Sequence, residues 1–187
     1  CKILVVGANG VLNQTLMPLL SRNVTTQIDV DCARQPDFVM DVQDMDFEDN
    51  SFDLVIMLEV LEHVPDPFKA MSEIYRVLKP GCVLYLSTPF ILGIHDAPFD
   101  YYRFTRYGLL KLAENFEVIF VRERNSYLEA VSVLPIRLIM ARTVRDKLIG
   151  VFFLASLSIC YPFLWIAEKC VLDKTCTTGY VMKAEKR

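Results

Sequence analysis

The stretch KILVVGANGVL, residues 2–12, decides the fold of this 187-residue chain. Its first five residues, Lys2–Val6, form a mostly apolar run of the kind that becomes a β-strand buried on both faces. The run ends in a small turn that contains Gly7 and Gly10, and a helix-like pattern follows. A buried strand, a glycine-bearing turn and a helix are how a nucleotide-binding α/β domain begins.

Strand and helix patterns alternate along the rest of the chain. Helices are predicted over residues 11–20, after the Asp66-Pro67 start signal, and from a cap at Thr105 through Glu114. The middle helix is expected to stop at Lys79-Pro80-Gly81. Further strands are predicted over residues 25–30, 37–40, 52–58, 83–87, 117–122 and 177–186. This alternation predicts a doubly wound α/β fold with a parallel sheet.

Composition narrows the classes of protein. The net charge of −3 does not suggest a nucleic-acid partner. None of the six cysteines forms a C-x-x-C pair, so we expect neither a metal site nor a disulfide framework, and the simplest setting is a reducing cytosol. The chain starts at Cys1, directly on a predicted strand and without an initiator methionine, which indicates a trimmed or partial N-terminus; no signal peptide is visible.

The opening turn is also typical of nicotinamide-dinucleotide enzymes. Residues 2–20 resemble the start of short-chain dehydrogenases, whose loop is G-x-x-G-x-x-G, but Asn13 stands where the third glycine belongs. Tyr75 and Lys79 have the Y-x-x-x-K spacing of that family, yet they lie too early in the chain and within a helix. A nicotinamide cofactor is therefore the lesser alternative.

A longer match lies in the middle of the chain. NSFDLVIMLEVLEHVPDP (residues 50–67) and RVLKPGCVLYLSTPF (residues 76–90) resemble class I S-adenosylmethionine-dependent methyltransferases of the type 11 kind. HDAPFDYYRFTRYGLLKL (residues 95–112) resembles one branch of that family. The resemblance implies a Rossmann-like sheet of seven strands with the last one antiparallel. It also implies S-adenosylmethionine as cofactor and S-adenosylhomocysteine as product.

The first group of cofactor-binding residues is the turn Gly7, Ala8, Asn9 and Gly10, whose N–H groups would face the methionine carboxylate. The family pattern G-x-G-x-G places glycines where this chain has Asn9 and Val11. Asparagine tolerates a left-handed backbone, whereas valine does so poorly. The alternative is a plain strand–helix turn.

The second group of cofactor-binding residues follows the next strands. Asp29 comes 22 residues after Gly7 and is expected to accept hydrogen bonds from the ribose hydroxyls, with Asp31 as the alternative. Asp41 and Val42 match the family position beside the adenine, although an acidic surface loop is the other interpretation of that segment. The backbone of Leu58 and Glu59 is expected to line the sulfonium end of the cofactor.

Titratable and aromatic residues follow the fifth strand, again on the expected ligand side. His95 is the candidate general base, because its imidazole titrates near neutral pH. Asp96, Tyr101, Tyr102 and Arg103 are the candidate acceptor-binding residues, with Arg103 suited to an anionic or sugar-like group. The alternative is a rigid lid over the cofactor. Glu62 and His63 match the family by position, and a structural role for His63 is expected.

Apolar residues make up 53% of the chain, and its mean hydropathy is +0.31. The excess over an ordinary soluble domain lies in residues 126–176. Residues 148–167 carry no charge over 20 positions, long enough to span a bilayer. Because residues 177–186 should return to the same sheet, both ends of the segment must lie on one side of any membrane. We therefore expect two helices, with a break near Arg145–Gly150 or at Tyr161-Pro162. Their apolar faces should be buried against the sheet, a second subunit or a membrane; these faces comprise Phe152, Phe153, Leu157, Phe163 and Trp165.

These patterns predict a single domain over residues 1–187 with a helical hydrophobic insertion at 126–176. The expected function is methyl transfer from S-adenosylmethionine to a small acceptor, of saccharide or lipid-linked type. The alternative is a non-catalytic binding or scaffold relative that has lost the glycine loop. No nucleic-acid partner is expected; residues 126–176 would mediate peripheral membrane contact or a homodimer. The expected location is the cytoplasm, including the inner face of the membrane.

Overall fold

The computed structural model describes residues 1–170 and 176–187, and of Val11 the backbone alone. The described residues form one seven-stranded sheet in the order β3-β2-β1-β4-β5-β7-β6. All neighbouring strands are parallel except that β7 runs antiparallel to β5 and β6. The predicted fold class is therefore confirmed. The strands are β1 (Lys2–Val6), β2 (Val24–Asp29), β3 (Phe38–Val39), β4 (Phe52–Leu58), β5 (Leu78–Pro89), β6 (Phe116–Glu123) and β7 (Gly179–Lys186).

The helices lie in the connections between these strands. Asp66 and Thr105 cap two of them as predicted, accepting from the N–H groups of Lys69 and Gly108 at 3.0 and 3.1 Å. Ser126 and Glu129 form a reciprocal capping box at the start of a third. The helices are α1 (Val11–Leu16), α2 (Pro67–Val77), α3 (Arg106–Leu112), α4 (Tyr127–Ile139) and α5 (Val144–Glu168).

The core explains why the opening run is apolar throughout. Leu4 and Val6 of β1 pack into the main cluster together with Ile74 of α2. Ile3 and Val5 belong to a second cluster, because successive side chains point to opposite faces of a strand. Both faces of β1 are thus covered, as expected for a central parallel strand.

Two predicted boundaries were wrong by more than two residues. The first helix is α-helical only through Leu16 and continues as a 3₁₀ turn over Met17–Leu20; Pro18 lacks the N–H that a longer α-helix would need. The α2 helix ends at Val77, and β5 already begins at Leu78 rather than at residue 83. Leu78 pairs with Phe52 of β4 across an irregularity in register.

The insertion contains the two predicted helices, but the predicted break positions were wrong. The turn lies at residues 140–143, where Thr143 accepts a hydrogen bond from the N–H of Asp146 at 3.1 Å and caps α5. Pro162 lies inside α5 without ending it. At Gly150 the helices approach so closely that an added Cβ would lie 2.7 Å from the backbone nitrogen of Ile139. We call α4, the turn and α5 the helical hairpin.

The outer face of α5 is exposed. Phe163 and Phe152 are 77% and 68% accessible, and Phe153 and Trp165 are also exposed, whereas Leu157 is half-buried. Of the three covers considered for these side chains, the sheet does not cover the four aromatic ones, which leaves a second subunit or a membrane. Among the described residues, α5 is the one helix long and apolar enough to cross a bilayer by length and composition, which is weak evidence by itself.

Candidate functional site

The turn after β1 lies at the sheet edge where the carboxyl ends of β1, β2, β4 and β5 meet. Gly7 has φ +93°, and an added Cβ would lie 2.8 Å from the side chain of Val60, so only glycine fits there. Asn9 adopts the left-handed conformation, with φ +50°, and its side chain donates to the carbonyl of Arg34. An added Cβ at Gly10 would meet no atom within 4 Å. The turn keeps its shape without glycine at position 9 and leaves open space at position 10.

The side chain of Asn13 stabilises this turn by a hydrogen bond. Its side-chain Nδ2 donates to the carbonyl of Gly7 at 2.6 Å, and the residue is only 4% exposed. Sequence reasoning treated Asn13 only as a missing glycine and missed this contact. An amide side chain in the first predicted helix was the available signal.

Asp29 lies against the turn. Its Oδ2 accepts from the N–H of Ala8 at 2.9 Å, and its Oδ1 accepts from the N–H of Asp31 at the same distance. The side chain is 9% exposed. Asp31 instead caps a short turn by accepting from the N–H of Ala33. Of the two candidate carboxylates, the geometry favours Asp29 as the one beside the turn.

Asp41 and Val42 follow β3 and serve local structure. The Asp41 carboxylate accepts from both the backbone and the side-chain nitrogen of Gln43, at 2.8 and 2.9 Å. Gln43 in turn accepts from the N–H of Asp66 at 2.9 Å. Val42 is buried in the main core, 5% exposed. The loop after β3 is thereby tied to the start of α2.

Leu58 ends β4 and is half-buried; Glu59 begins the next loop in a left-handed conformation, with φ +54°. One Glu59 oxygen accepts from the hydroxyl of Ser87 at 2.7 Å and pairs with Arg124 at 2.7 Å. Arg124 follows β6, so this ion pair joins the ends of three strands. Sequence reasoning did not identify Arg124.

A cluster of three titratable residues lies beside Glu59. The 3₁₀ turn Leu61–His63 carries Glu62 and His63 directly after β4, and His95 arrives from the loop after β5. Nε2 of each histidine lies 3.7 Å from the same oxygen of Glu62. Glu62 is 0% exposed, and burial, with a smaller contribution from the Glu59 charge, raises its pKa to about 8. Sequence reasoning missed this cluster because 32 residues separate the two histidines.

Arg103 uses all five of its N–H groups within the protein. It makes two hydrogen bonds to Asp100, at 2.6 and 2.7 Å, which hold the pKa of that carboxyl well below its usual range. Its other donors reach the carbonyls of Leu92, Tyr102 and Gly93. In this structure Arg103 therefore presents no free donor to an anionic acceptor.

The tyrosines of the same loop bind it to the turn after β4. The backbone N–H groups of Tyr101 and Tyr102 both donate to the carbonyl of Glu62, at 3.0 and 3.2 Å. The Tyr102 hydroxyl donates to the carbonyl of Pro65 at 2.9 Å. Asp96 is exposed and lies 4.0 Å from Nε2 of His63. These contacts favour the rigid-lid interpretation for Tyr101, Tyr102 and Arg103.

A cavity of about 600 Å³ lies between the sheet edge and the helical hairpin. Its wall is mostly apolar, with Arg124 as its one basic residue. The lining residues are Leu12, Leu92, Arg124, Asn125, Leu128, Glu129, Ser132, Val133, Ile136, Tyr161 and Thr178. The cavity has the size and lining of a small-molecule site.

Known methyltransferases are similar in sequence to parts of this chain. The family described as a methyltransferase domain matches residues 15–86. The ubiquinone biosynthesis O-methyltransferase of Xanthomonas campestris is 39% identical over 102 residues, 46% of this chain and 42% of that protein. Cycloartenol-C-24-methyltransferase 1 of rice (Oryza sativa) is 54% identical over 46 residues, 24% of this chain and 13% of that protein. The chain thus spans less than half the length of these relatives.

Solved structures share the fold. Phosphoethanolamine N-methyltransferase 2 of Haemonchus contortus, in complex with S-adenosyl-L-methionine, superimposes with a TM-score of 0.58 and 18% identity over 99% of this chain and 48% of that chain. A SAM-dependent methyltransferase of Methanosarcina mazei gives a TM-score of 0.57 and 20% identity over 99% and 92%. These solved structures show that the chain has the fold of S-adenosylmethionine-dependent methyltransferases, and residues 15–86 match the methyltransferase-domain family.

Proposed function

We propose that this chain transfers a methyl group from S-adenosylmethionine to a small acceptor bound under the helical hairpin. The observation that carries the proposal is the turn at Gly7–Gly10, fixed by Asp29 and Asn13, beside a cavity of about 600 Å³. Bound S-adenosylmethionine supplies an electrophilic methyl group on its sulfonium sulfur.

The chain's own residues fit that cofactor. The open space at Gly10 admits a ligand near the N–H groups of the turn, which suit a carboxylate. The Asp29 oxygens each accept one backbone hydrogen bond and keep further lone pairs for ribose hydroxyls. Asp41 and Val42 would stand at the adenine, and Leu58 and Glu59 at the sulfonium end. Because Asn9 adopts a left-handed backbone conformation, which glycine also favours, the altered loop gives little support to the non-catalytic alternative.

An acceptor with an apolar body fits the cavity better than a free saccharide does. Five of the eleven lining residues are leucine, valine or isoleucine, and the polar ones are Arg124, Asn125, Glu129, Ser132 and Thr178. Two relatives have names that refer to ubiquinone biosynthesis and to cycloartenol, both lipids. We therefore favour the lipid-linked acceptor. His95 is the candidate base that would take the acceptor proton while the methyl group moves in line from sulfur.

The helical hairpin is proposed to contact an anionic bilayer. Arg142, Arg145 and Lys147 are exposed at the start of α5, and the exposed aromatic side chains follow them. Basic residues beside an apolar face favour binding to the surface of anionic lipid. Such contact would also bring the cavity near lipid-linked acceptors. A homodimer through the same face is the alternative.

Titration calorimetry with S-adenosylmethionine and S-adenosylhomocysteine tests the proposal. Asp29→Ala should weaken binding by about 10-fold to 150-fold, the equivalent of about 1.5–3 kcal/mol for charged hydrogen bonds. Asp31→Ala is the matched control and should change affinity little, because its carboxylate caps a turn. Heat on adding NAD and none on adding S-adenosylmethionine would refute the proposal. Binding without transfer of a labelled methyl group to any quinone or sterol would support the non-catalytic relative instead.

A further inference from the structure

Glu62, His63 and His95 form a compact cluster of three potential metal ligands, whereas a general base would need only one of them. They lie at the carboxyl ends of the neighbouring strands β4 and β5. One ligand atom from each residue can be chosen so that all three lie within 4.8 Å of one another. The two imidazole rings stand edge to face with their centroids 4.8 Å apart.

The distances suit a shared cation better than hydrogen bonds. Each histidine Nε2 lies 3.7 Å from Oε1 of Glu62, too far for a hydrogen bond. Two ligands bound at about 2.1 Å from one tetrahedral ion lie roughly 3.4 Å apart. Placing all three atoms around a single ion would shorten each glutamate–histidine distance by about 0.3 Å, and a histidine–histidine separation within 4.8 Å by at most about 1.4 Å.

The hydrogen bond at Nδ1 of His63 leaves its Nε2 free to bind a metal. Nδ1 of His63 lies 2.7 Å from the carbonyl oxygen of Phe99, and a carbonyl can only accept. His63 therefore carries its proton on Nδ1 and leaves a lone pair on Nε2. A hydrogen bond from the far nitrogen to a carbonyl is a usual second-shell contact of a metal-binding histidine. Nδ1 of His95 lies 3.4 Å from Asp100 and 3.5 Å from Nη2 of Arg103.

Glu62 supplies the independent observation. Its side chain is completely buried, and neither oxygen has a hydrogen-bond partner among the described residues. A buried carboxylate without a partner is costly. Both histidine Nε2 atoms face one of its oxygens, so a bound cation would satisfy the acceptor that the fold leaves open.

We propose that Glu62, His63 and His95 bind one divalent transition-metal ion, with Zn²⁺ as the ion that two imidazoles and one carboxylate suit best. Three protein ligands leave a fourth position for a water molecule or an acceptor oxygen. Asp96, 4.0 Å from Nε2 of His63, lies at the rim of the site. The site departs from the expectation that the chain holds no metal.

A role for the ion rests on the proposed methyl transfer. An acceptor hydroxyl bound at the fourth position would lose its proton to solvent more easily, because the ion stabilises the oxyanion. That oxygen would then form the new bond to the methyl carbon as the sulfur–methyl bond breaks and S-adenosylhomocysteine leaves. His95 would be a ligand in this scheme and not the base, since both roles need Nε2.

Binding is tested on the full chain without cofactor or acceptor. After chelator treatment and dialysis, calorimetric titration with Zn²⁺ should show one saturable site, and Co²⁺ should give a visible absorption spectrum of a bound ion. Glu62→Gln, which keeps the side-chain size, and His95→Ala should each weaken Zn²⁺ binding at least tenfold. The exposed Glu48→Gln is the control and should bind as the parent protein does.

Six free cysteines offer Zn²⁺ another place, and the double variant His63→Ala/His95→Ala separates the two. Loss of the saturable site in the double variant, with an unchanged thermal unfolding transition, supports the proposal. One equivalent still bound there belongs to the cysteines and overturns it, as does a parent protein with no saturable site. Because S-adenosylmethionine affinity is measured separately, a failure of the metal site and a failure of the proposed function give different results.

Discussion

Gly7 is a residue whose replacement by alanine, a small chemical change, should lower the stability of the fold. Alanine there would combine an unfavourable positive φ with a Cβ placed 2.8 Å from Val60. We expect Gly7→Ala to lower the free energy of unfolding by about 1–3 kcal/mol. Gly10→Ala is the matched control, because Gly10 has φ −69° and no neighbour within 4 Å of an added Cβ. Equal urea midpoints for the two variants would contradict the strain argument.

Arg76 should make stability depend on pH. Its hydrogen bonds to Glu73, at 2.8 Å, hold the pKa of that carboxyl below the usual glutamate value of 4.5. A lowered folded pKa means stabilisation that is present above pH about 4.5 and is lost as pH falls through the folded pKa. Arg76→Met should therefore be less stable than the parent at neutral pH, by about 1–3 kcal/mol including the bonds to the carbonyls of Met45 and Phe47. The gap measured in urea should narrow below pH 4.5; a gap independent of pH would rule out the Glu73 contribution.

At the scale of elements, the helical hairpin depends on Gly150. A Cβ there would lie 2.7–2.8 Å from atoms of Ile139, Leu138 and Pro135. Gly150→Ala should force the helices apart and cost about 1–3 kcal/mol, despite the better helix propensity of alanine. Faster amide hydrogen exchange in both α4 and α5 should report it. Ser158→Ala, exposed on α5, should leave exchange unchanged, and equal exchange in the two variants would contradict close packing at position 150.

The elements also show what sequence reasoning can reach. Phe52–Leu58 was predicted to the residue, because an apolar run between turn signals identifies a buried strand. The predicted position of the hairpin break was wrong, because Gly150 and Pro162 are helix-breaking residues, whereas the turn ends at the cap residue Thr143. Helix-breaking residues mark a break only where packing does not override them, and here Gly150 serves close packing. The Glu62–His63–His95 cluster could not be predicted from the sequence, because only the pairing of β4 with β5 brings its residues together.

The whole molecule presents one unusual surface, the aromatic outer face of α5. Replacing Phe152 and Phe163 together with aspartate should reduce sedimentation with anionic liposomes by at least tenfold, because the change removes apolar contact and adds repelling charge. Leu19→Asp, at an apolar position 77% exposed outside the hairpin, is the control and should sediment as the parent does. A parent protein that stays in the supernatant but forms dimers, lost in the double aspartate variant, would assign this face to a second copy of the chain.

The antiparallel strand β7 has a consequence for how the molecule is made. It lies between β5 and β6 and pairs with both, yet it is the last of the seven to leave the ribosome. Until residues 179–186 emerge, β6 has no partner in the described sheet, and the edge of β5 stays open while the apolar hairpin is already outside the exit tunnel. Nascent chains with open strand edges and bare apolar helices are prone to aggregate. Production of this protein should therefore depend on chaperones during the interval between synthesis of the hairpin and insertion of the final strand.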